Sequence, residues 1–362
     1  MATQIPANPT WTQKVITWFD THEQAKREEG HADQNKWILP FPFLLMTASV
    51  LLVFVVGFSW VAFGVAVFLY FIRMFGITGV YHRYFSHRTY KTSRPFQFIL
   101  ALIGNSAAQR GPLWWAAHHR HHHAHSDQPE DIHSPKQGGF WEAHMLWWSR
   151  RKHVATRTGL IPDYAKYPEL MFLDRFDSIV PLTLGGLMLA LGAFLNRYFP
   201  QLGTSASQMF VWGFIVSTVV LFHGVATINS LSHVIGRRRF ETTDTSRNNW
   251  LLALITMGEG WHNNHHHYCN STRQGFFWYE IDITYYMLKG LSMVGLVWDL
   301  KPVPARMLQP QAARPKAEAI VRQREWVPAY GSGFAVGAAD ASHMGQPYLA
   351  PAPARSPDVP KS

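Results

Sequence analysis

Histidine is the residue type with the clearest chemical potential in this chain of 362 residues, which contains 20 of them. Nine stand where neighbouring imidazoles can point to one place. These nine are His82, His87, His119, His122, His123, His233, His262, His265 and His266. Residues at i, i+3 and i+4 share one side of a helix, so the triplets that begin at His119 and at His262 can each aim three imidazoles at one place. His82 and His87 diverge by about 140° on an ideal helix, which predicts that they approach a metal cluster from different directions or straddle a helix end.

Nine imidazoles exceed the ligands that one metal ion uses, which favours a site for two metals. Neutral imidazole suits iron, copper, nickel and zinc. Asn229 lies four residues before His233, on the same side of a helix. The remaining nearby histidines are interpreted as packing or surface residues, although His133 and His144 could orient ligands. This group comprises His118, His121, His125, His133, His144, His153, His223 and His267.

Long apolar runs must position these clusters, because the chain is 47% hydrophobic and only 15% charged. No Asp, Glu, Lys or Arg occurs from Ile38 to Ile72, which is enough for two membrane helices joined by a turn near residues 57–60. Further runs follow in the middle of the chain. The predicted spans are at about 38–57, 59–77, 178–195 and 208–226. We therefore expect an all-α integral membrane protein with four transmembrane helices in two hairpins and a cytoplasmic helical cap that holds the histidines.

Charge placement predicts the topology of these spans. The loop between the second and third spans and the segment after the fourth are rich in Arg and Lys, which places that loop and both termini in the cytoplasm. A bacterial inner membrane is favoured over the endoplasmic reticulum. The same asymmetry accounts for the net charge of +10, and no nucleic-acid partner is expected, since no binding motif is found. A metal transporter or storage protein is the competing interpretation, but a transporter would place its ligands within the spans.

The two ends of the chain are interpreted separately from the membrane domain at 38–303. Residues 1–37 contain "WTQKVITWF", in which Trp11, Val15 and Trp18 have helical spacing, so an interfacial helix is plausible and simple packing equally so. Residues 304–362 are rich in Pro and Ala and are predicted to be largely disordered.

The histidine segments resemble a known family. "GITGVYHRYFSHRTYK", "HHRHHHAHSD" and "GEGWHNNHHH", the last preceded by "INSLSH", are similar to the three histidine boxes and the additional histidine segment of membrane fatty acyl desaturases. The similarity is greatest to the acyl-CoA delta-9, or stearoyl-CoA desaturase, type and covers about residues 38–303. It implies that the nine histidines hold two irons (Fe²⁺), that Asn229 reaches one of them through a water, and that the acyl chain enters a closed tunnel beneath the metals. The implied activity is O2-dependent insertion of a cis double bond at delta-9.

The resemblance also implies substrate residues. "WWSRRKH" is similar to the family's basic segment that contacts coenzyme A phosphates, which places Arg151 and Lys152 there, and Trp115 occupies a matching position in "PLWWAAHHR". By contrast, Ala117 and His118 stand where the animal enzymes have Arg and Asp. The alternative interpretation of the basic segment is a group of charges at the membrane surface.

The chemistry adds a cofactor and a partner. Removal of hydrogen from an unactivated methylene requires oxygen activated at iron, because no side chain is a strong enough oxidant. The sequence has no haem-binding domain, no GxGxxG and no CxxC pair, so a separate electron donor is expected: a ferredoxin, a rubredoxin, or cytochrome b5 with its reductase. Two alternatives remain open. The acyl chain could be carried by phospholipid or carrier protein rather than coenzyme A, and a related di-iron membrane hydroxylase, ketolase or alkane oxygenase would share the histidines.

Overall fold

The computed structural model describes residues 10–29 and 41–309. In chain order the helices are α1 (Trp11–Phe19), α2 (Thr21–Glu29), α3 (Phe41–Val56), α4 (Trp60–Ser86), α5 (Arg94–Asn105), α6 (Pro112–His125), α7 (Pro168–Arg175), α8 (Ile179–Tyr198), α9 (Ala206–His233), α10 (Trp250–Ile255), α11 (His262–His267) and α12 (Ile283–Met293). Shorter helical turns are Pro135–Gly138, Glu142–Leu146, Trp147–Ser149, Arg151–His153, Thr158–Leu160, Pro162–Ala165, Pro200–Leu202 and Ala305–Met307. The start of the first predicted span and most of the predicted tail lie outside the described residues.

Three helices in the described part of the chain are long and apolar enough to cross a membrane. These are α4, α8 and α9, with 27, 20 and 28 residues. They overlap the predicted spans at 59–77, 178–195 and 208–226. The apolar helix α3 is shorter than the roughly 20 residues that a crossing requires, so the expectation of four spans stays a prediction. Between α3 and α4 the chain turns at Gly57, which has φ +73°, and Ser59 caps the next helix by accepting a hydrogen bond from the amide of Ala62.

The expectation of an all-α fold needs one small correction. Strand β1 (Lys91–Thr92) pairs antiparallel with β2 (Val297–Trp298), with Lys91 opposite Trp298. The remaining described elements are helical, and α4 packs along α9, which also contacts α8.

Helix α4 continues past the predicted span as a π-helical segment of 11 residues. Residues Gly76–Ser86 of this segment are all buried against α5 and α6. The close approach to α5 occurs at a glycine pair: a Cβ added to Gly76 would lie 2.8 Å from the carbonyl oxygen of Ile103 and 2.9 Å from the Cα of Gly104. This contact holds the last part of α4, which carries His82, against α5.

Helix α6 is fixed at its start by a carboxylate from another element. Pro112 occupies the first turn, where a missing amide hydrogen is tolerated. Asp174 of α7 accepts a hydrogen bond of 2.7 Å from the backbone amide of Trp114. The same residue accepts a hydrogen bond from Thr21 through its backbone carbonyl. Asp174 therefore links the N-terminal helices to the histidine-rich helix.

Both ends of the described chain can be compared with the predicted interfacial helix and with the predicted domain end at residue 303. Helix α1 leaves Trp11 and Trp18 exposed, at 78% and 62%, as an interfacial helix would; membrane contact stays a prediction. At the other end, Met307 is buried within the turn Ala305–Met307. Folded structure therefore extends a few residues past the predicted boundary at 303.

The glycine contact between α4 and α5 gives a prediction about stability. Gly76→Ala places a methyl group against backbone atoms that cannot move cheaply, so we expect a loss of about 1–3 kcal/mol in unfolding free energy. The measurement is thermal unfolding in a lipid nanodisc. Gly64→Ala is the control, because Gly64 lies on the same helix with nothing within 4 Å of an added Cβ; it should unfold at an unchanged or slightly higher temperature. Equal behaviour of the two variants would contradict this account of the packing.

Candidate metal centre

Five imidazoles form a first group, in which the possible ligand atoms all lie within 4.8 Å of one another. The group consists of His82, His87, His119, His123 and His265. The Nε2 atom of His265 lies 3.0 Å from that of His82 and 2.9 Å from that of His123. The Nε2 atoms of His87 and His119 are 2.9 Å apart.

Four imidazoles form a second group by the same measure: His122, His233, His262 and His266. The Nε2 atoms of His233 and His262 are 3.0 Å apart. Those of His122 and His266 are buried and, within the described part of the chain, have no hydrogen-bond partner. All nine histidines singled out in the sequence therefore lie in one of the two groups.

The expectation that each helical triplet aims at one place is wrong. In α6, His119 and His123 belong to the first group while His122 belongs to the second. In α11, residues 262 and 266 belong to the second group and His265 to the first. Residues i and i+4 are only about 40° apart around the helix, so both enter the same group. The i+3 residue is rotated away from residue i in the opposite direction, so it enters the other group. Each helix therefore supplies both groups.

A π-helical turn determines the relative position of His82 and His87. The amide of His87 donates to the carbonyl of His82 at 3.1 Å, an i to i+5 bond that closes a wider turn than an α-helix does. Residues five apart then lie near each other, and both imidazoles enter the first group. His87 follows directly after the last residue of α4, so the pair straddles the helix end as one of the two predicted options had it.

Carboxylates that the sequence did not indicate hold four of the imidazoles. In each case the Nδ1–H of the ring donates to a buried carboxylate oxygen. The pairs are His82 with Glu259 at 2.5 Å, His122 with Asp131 at 2.8 Å, His233 with Asp127 at 3.3 Å and His266 with Asp244 at 2.7 Å. Since the proton is then on Nδ1, the Nε2 lone pair of each ring points into its group.

Glu259 is held in turn by a buried network. Arg83, which is 1% exposed, donates to Glu259 at 3.1 Å and pairs with Asp282 at 2.9 Å. Gln274 donates to the other oxygen of Glu259 at 3.0 Å. These three buried charges are tolerated because opposite charges and several hydrogen bonds offset their desolvation. Glu259 could have been noted from its position three residues before His262, but its long-range partners carry no sequence signal.

Arg120 joins α6 to the end of α4. It lies on α6 between the ligating positions and donates to the carbonyls of Phe85 and Ser86 at 2.6 and 3.0 Å. These are carbonyls of the last turn of α4, which have no partner within their own helix. Asp163 holds the guanidinium from the other side at 2.8 Å. The arginine therefore fixes the end of α4 against α6.

The donor set fits two metal ions. Two nitrogens that lie about 2.1 Å from one ion at a right angle are about 3.0 Å apart, which matches the four Nε2 distances of 2.9–3.0 Å. Burial, followed by neighbouring imidazoles, lowers the pKa of several rings well below the ordinary value. Those rings are His119, His123, His262 and His265. They are neutral at pH 7, the form that binds a metal.

Asn229 lies beside both groups. It lines a small space of about 30 Å³ that His82, His119, His122 and His262 also border. A space of this size holds a water molecule when polar groups surround it. Asn229 could therefore reach a metal through one water, and that role stays a prediction.

A larger apolar cavity of about 430 Å³ begins at the first group. His119 lines it, and Trp115 is stacked on that imidazole with ring centroids 5.0 Å apart and planes 18° apart. Its wall includes Trp114 and His118 of α6, so the cavity follows this helix; the opposite wall comes from the apolar helices, with Phe43 and Leu182 among them. Trp115 lines the cavity, and its predicted role as a substrate residue stays a prediction.

Arg151 and Lys152 have a different position. They lie in the turn Arg151–His153, which begins three residues after Trp148. Trp147 and Trp148 line the cavity. The two cations themselves are not among its lining residues. Their contact with a coenzyme A phosphate stays a prediction.

Two of the other histidines lie close to the centre, as the sequence suggested. His133 faces His122 with ring centroids 4.2 Å apart. His144 lines the cavity. Its Nδ1 lies 2.8 Å from Ser230 Oγ, and its Nε2 lies 3.1 Å from His223 Nδ1. Both are in place to orient neighbouring groups.

Comparison with known proteins agrees with this geometry. The family model for fatty acid desaturase matches residues 58–336. The chain is 34% identical to sn-2 palmitoyl-lipid 9-desaturase of Nostoc sp. (strain 36), covering 74% of this chain and 91% of that protein. It is 36% identical to delta-9 acyl-lipid desaturase 1 of Arabidopsis thaliana over 68% and 77%, and 36% identical to an acyl-CoA C20 delta5-desaturase of Anemone leveillei over 69% and 77%.

Apolar helices long enough to cross a membrane, together with two groups of imidazoles that could hold metal ions, are typical of membrane-bound metal oxidoreductases. Within that class, this chain belongs to the fatty acid desaturase family. The names of its relatives include both acyl-lipid and acyl-CoA desaturases.

The grouping of the imidazoles gives a prediction about metal content. His266→Ala removes one of four ligands from the second group, so we expect the metal bound per chain to fall from about two ions to about one, together with loss of desaturation. Elemental analysis of purified protein measures the first effect. His125→Ala is the matched control, because His125 lies on α6 outside both groups and should retain the full metal content. Two ions in the His266→Ala protein would contradict the assignment.

Proposed function

We propose that this chain is an O2-dependent fatty acyl desaturase with a di-iron centre, which inserts a cis double bond at delta-9 into a saturated acyl chain carried by coenzyme A. The observation that carries the proposal is that the first imidazole group borders an apolar cavity through His119, while the second group shares the helices α6 and α11 with the first. An acyl chain in that cavity has its methylenes beside His119.

Iron bound by the two groups would supply the activation of O2 that hydrogen removal from an unactivated methylene needs. Imidazole rings also bind zinc, but zinc is redox-inert. The overall reaction takes two hydrogens from adjacent methylenes, two electrons from a donor and two protons from solvent, and reduces O2 to two waters. Histidine ligands with fixed Nδ1 protons suit this work, because their carboxylate partners keep each ring in one orientation.

The residues around the cavity position the substrate and exclude water. Trp115 packs its indole against His119, so it presents a flat apolar surface next to the reacting carbons. Apolar walls hold the chain in an extended course and remove competing water, which favours reaction at one pair of methylenes.

The electron donor and the membrane orientation complete the proposal. An acidic carrier such as a ferredoxin, a rubredoxin or cytochrome b5 would dock on the basic face by charge complementarity. We further propose that both termini are cytoplasmic, in a bacterial inner membrane, because the arginine-rich segments flank α4 and α9 on the side of the histidines.

A reconstituted assay tests the function. The iron-loaded protein in nanodiscs is given stearoyl-CoA, O2 and a ferredoxin with its reductase, and the product is examined by mass spectrometry for the position of any double bond. We expect a monoenoic product with the bond at carbon 9 and rates that fall as salt rises. A hydroxylated product would favour the related hydroxylases, and product formation with NAD(P)H alone would contradict the need for a donor. An arm with phosphatidylcholine carrying saturated chains tests the alternative carrier.

The carrier is also tested at Arg151 and Lys152. If they bind coenzyme A phosphates, they contribute equally before and during the oxidation, so Arg151→Ala/Lys152→Ala should raise KM far more than it lowers kcat. A charge-assisted contact contributes about 1.5–3 kcal/mol, so we expect a rise in KM of roughly tenfold to a thousandfold, less what solvent screens. Metal content should not change. An unaltered KM for stearoyl-CoA would contradict the headgroup assignment.

A further inference from the structure

A polar rim lies on the apolar cavity at the start of α6, away from the metal groups. It is formed by Gln109 and Arg110, which precede this helix, and by Asp177 and Ser178, which precede α8. Arg110 Nε lies 3.3 Å from Asp177 Oδ2, so the two segments meet. All four residues line the cavity.

Polar atoms at this rim are buried without a partner. Within the part of the chain that the structure describes, Gln109 Nε2 and Ser178 Oγ are buried and make no hydrogen bond. An unsatisfied buried donor costs about 1–3 kcal/mol, so such groups in a cavity wall indicate a ligand that accepts hydrogen bonds. The remainder of the wall is mostly apolar, so the ligand has one polar group at this place.

The charges of the rim select the kind of acceptor. Burial raises the pKa of Asp177 to about 6, although Arg110 opposes this shift, so the carboxylate is largely ionised at pH 7 and balances the guanidinium. A phosphate would meet this carboxylate as well as the arginine. An uncharged carbonyl oxygen fits the free amide and hydroxyl without that repulsion.

The rim is held at a fixed distance from the metal groups. Ala108 and Arg110 have φ of +56° and +70°, a left-handed conformation that non-glycine residues adopt at a cost. This strained turn leads directly into α6, and from Pro112 to His119 the helix rises about 10 Å. That rise is comparable with the extended carboxyl half of a long acyl chain.

We propose that Gln109, together with Ser178 and the Arg110–Asp177 pair, binds the carbonyl oxygen of the acyl ester or thioester. The site thereby fixes which carbons, counted from the carboxyl end, reach the metals. The inference rests on the proposed function, since it takes the cavity to hold the acyl chain. Glycerolipid esters and coenzyme A thioesters share this carbonyl, so the chemistry applies to either carrier.

Pairs of probes with and without the carbonyl test the site. Radiolabelled palmitoyl-CoA is compared with S-hexadecyl-CoA, and 1-palmitoyl-lysophosphatidylcholine with its 1-O-hexadecyl ether, by equilibrium binding to the iron-loaded protein without reductant. We expect the wild type to prefer the carbonyl member of one pair by roughly 2- to 10-fold, and Gln109→Leu to lose this preference. Preference within the thioester pair assigns coenzyme A as the carrier, and preference within the ester pair assigns a glycerolipid.

Gln97→Leu is the matched control. Gln97 lies on α5, is 4% exposed, has a buried Nε2 without a hydrogen-bond partner in the described chain, and is not among the residues that line the cavity. It should keep the carbonyl preference. Ser178→Ala provides a second test if Gln109→Leu loses metal or fails to fold, and it should reduce the preference. An unchanged preference in the folded rim variants, or none in the wild type, would overturn the proposal.

Because binding is measured without turnover, failure to form a double bond would count against the proposed function and leave this result standing. In turnover, Gln109→Leu should give a mixture of double-bond positions, which mass spectrometry resolves. A single, unchanged position would overturn the counting role.

Discussion

The constraint on which this structure depends is the close approach of imidazole nitrogens. Nε2 atoms of neighbouring rings lie 2.9–3.0 Å apart in both groups, and carboxylates keep the proton of four rings on the opposite nitrogen. The rings of each group come from separate helices, so their spacing depends on support from outside the groups. A metal ion bound in a group would accept several Nε2 lone pairs at once, and its binding would then be coupled to the folding of the elements that carry these rings.

That outside support is a set of buried polar links between segments far apart in the chain. Arg83 on α4 holds Glu259, which holds His82, while Asp127 after α6 holds His233 at the end of α9. Each link needs its partners in place before its own desolvation is offset. Asp131 and Asp244 hold two further imidazoles in the same way. Burial alone would raise the pKa of both carboxyl groups, but their imidazole partners and hydrogen bonds outweigh burial and keep the pKa below the usual range. The support is thus cooperative: removing one partner leaves a buried charge unpaired.

Local sequence patterns were sufficient to predict the long apolar helices and the clustered histidines. Apolar runs predicted the positions of α4, α8 and α9, and histidine spacing identified all nine imidazoles that the fold collects. The division into groups was missed, because a shared helix side was taken to mean a shared target and because α-helical geometry was assumed at His82, where the chain is π-helical. The carboxylates were missed for another reason: Glu259 and His82 are neighbours only in space, and no period in the sequence connects them.

Two helices, α6 and α11, each supply imidazoles to both groups. His122 and His123 are adjacent on α6 yet belong to different groups, as do His265 and His266 on α11. Consecutive residues on a helix differ by about 100°, so each helix places its ligands on both sides of a shared axis. The separation of the groups then depends on the rigid geometry of two helices rather than on loops. Because α6 also carries Trp115 along the cavity, one helix both lines the cavity and supplies imidazoles to the two groups.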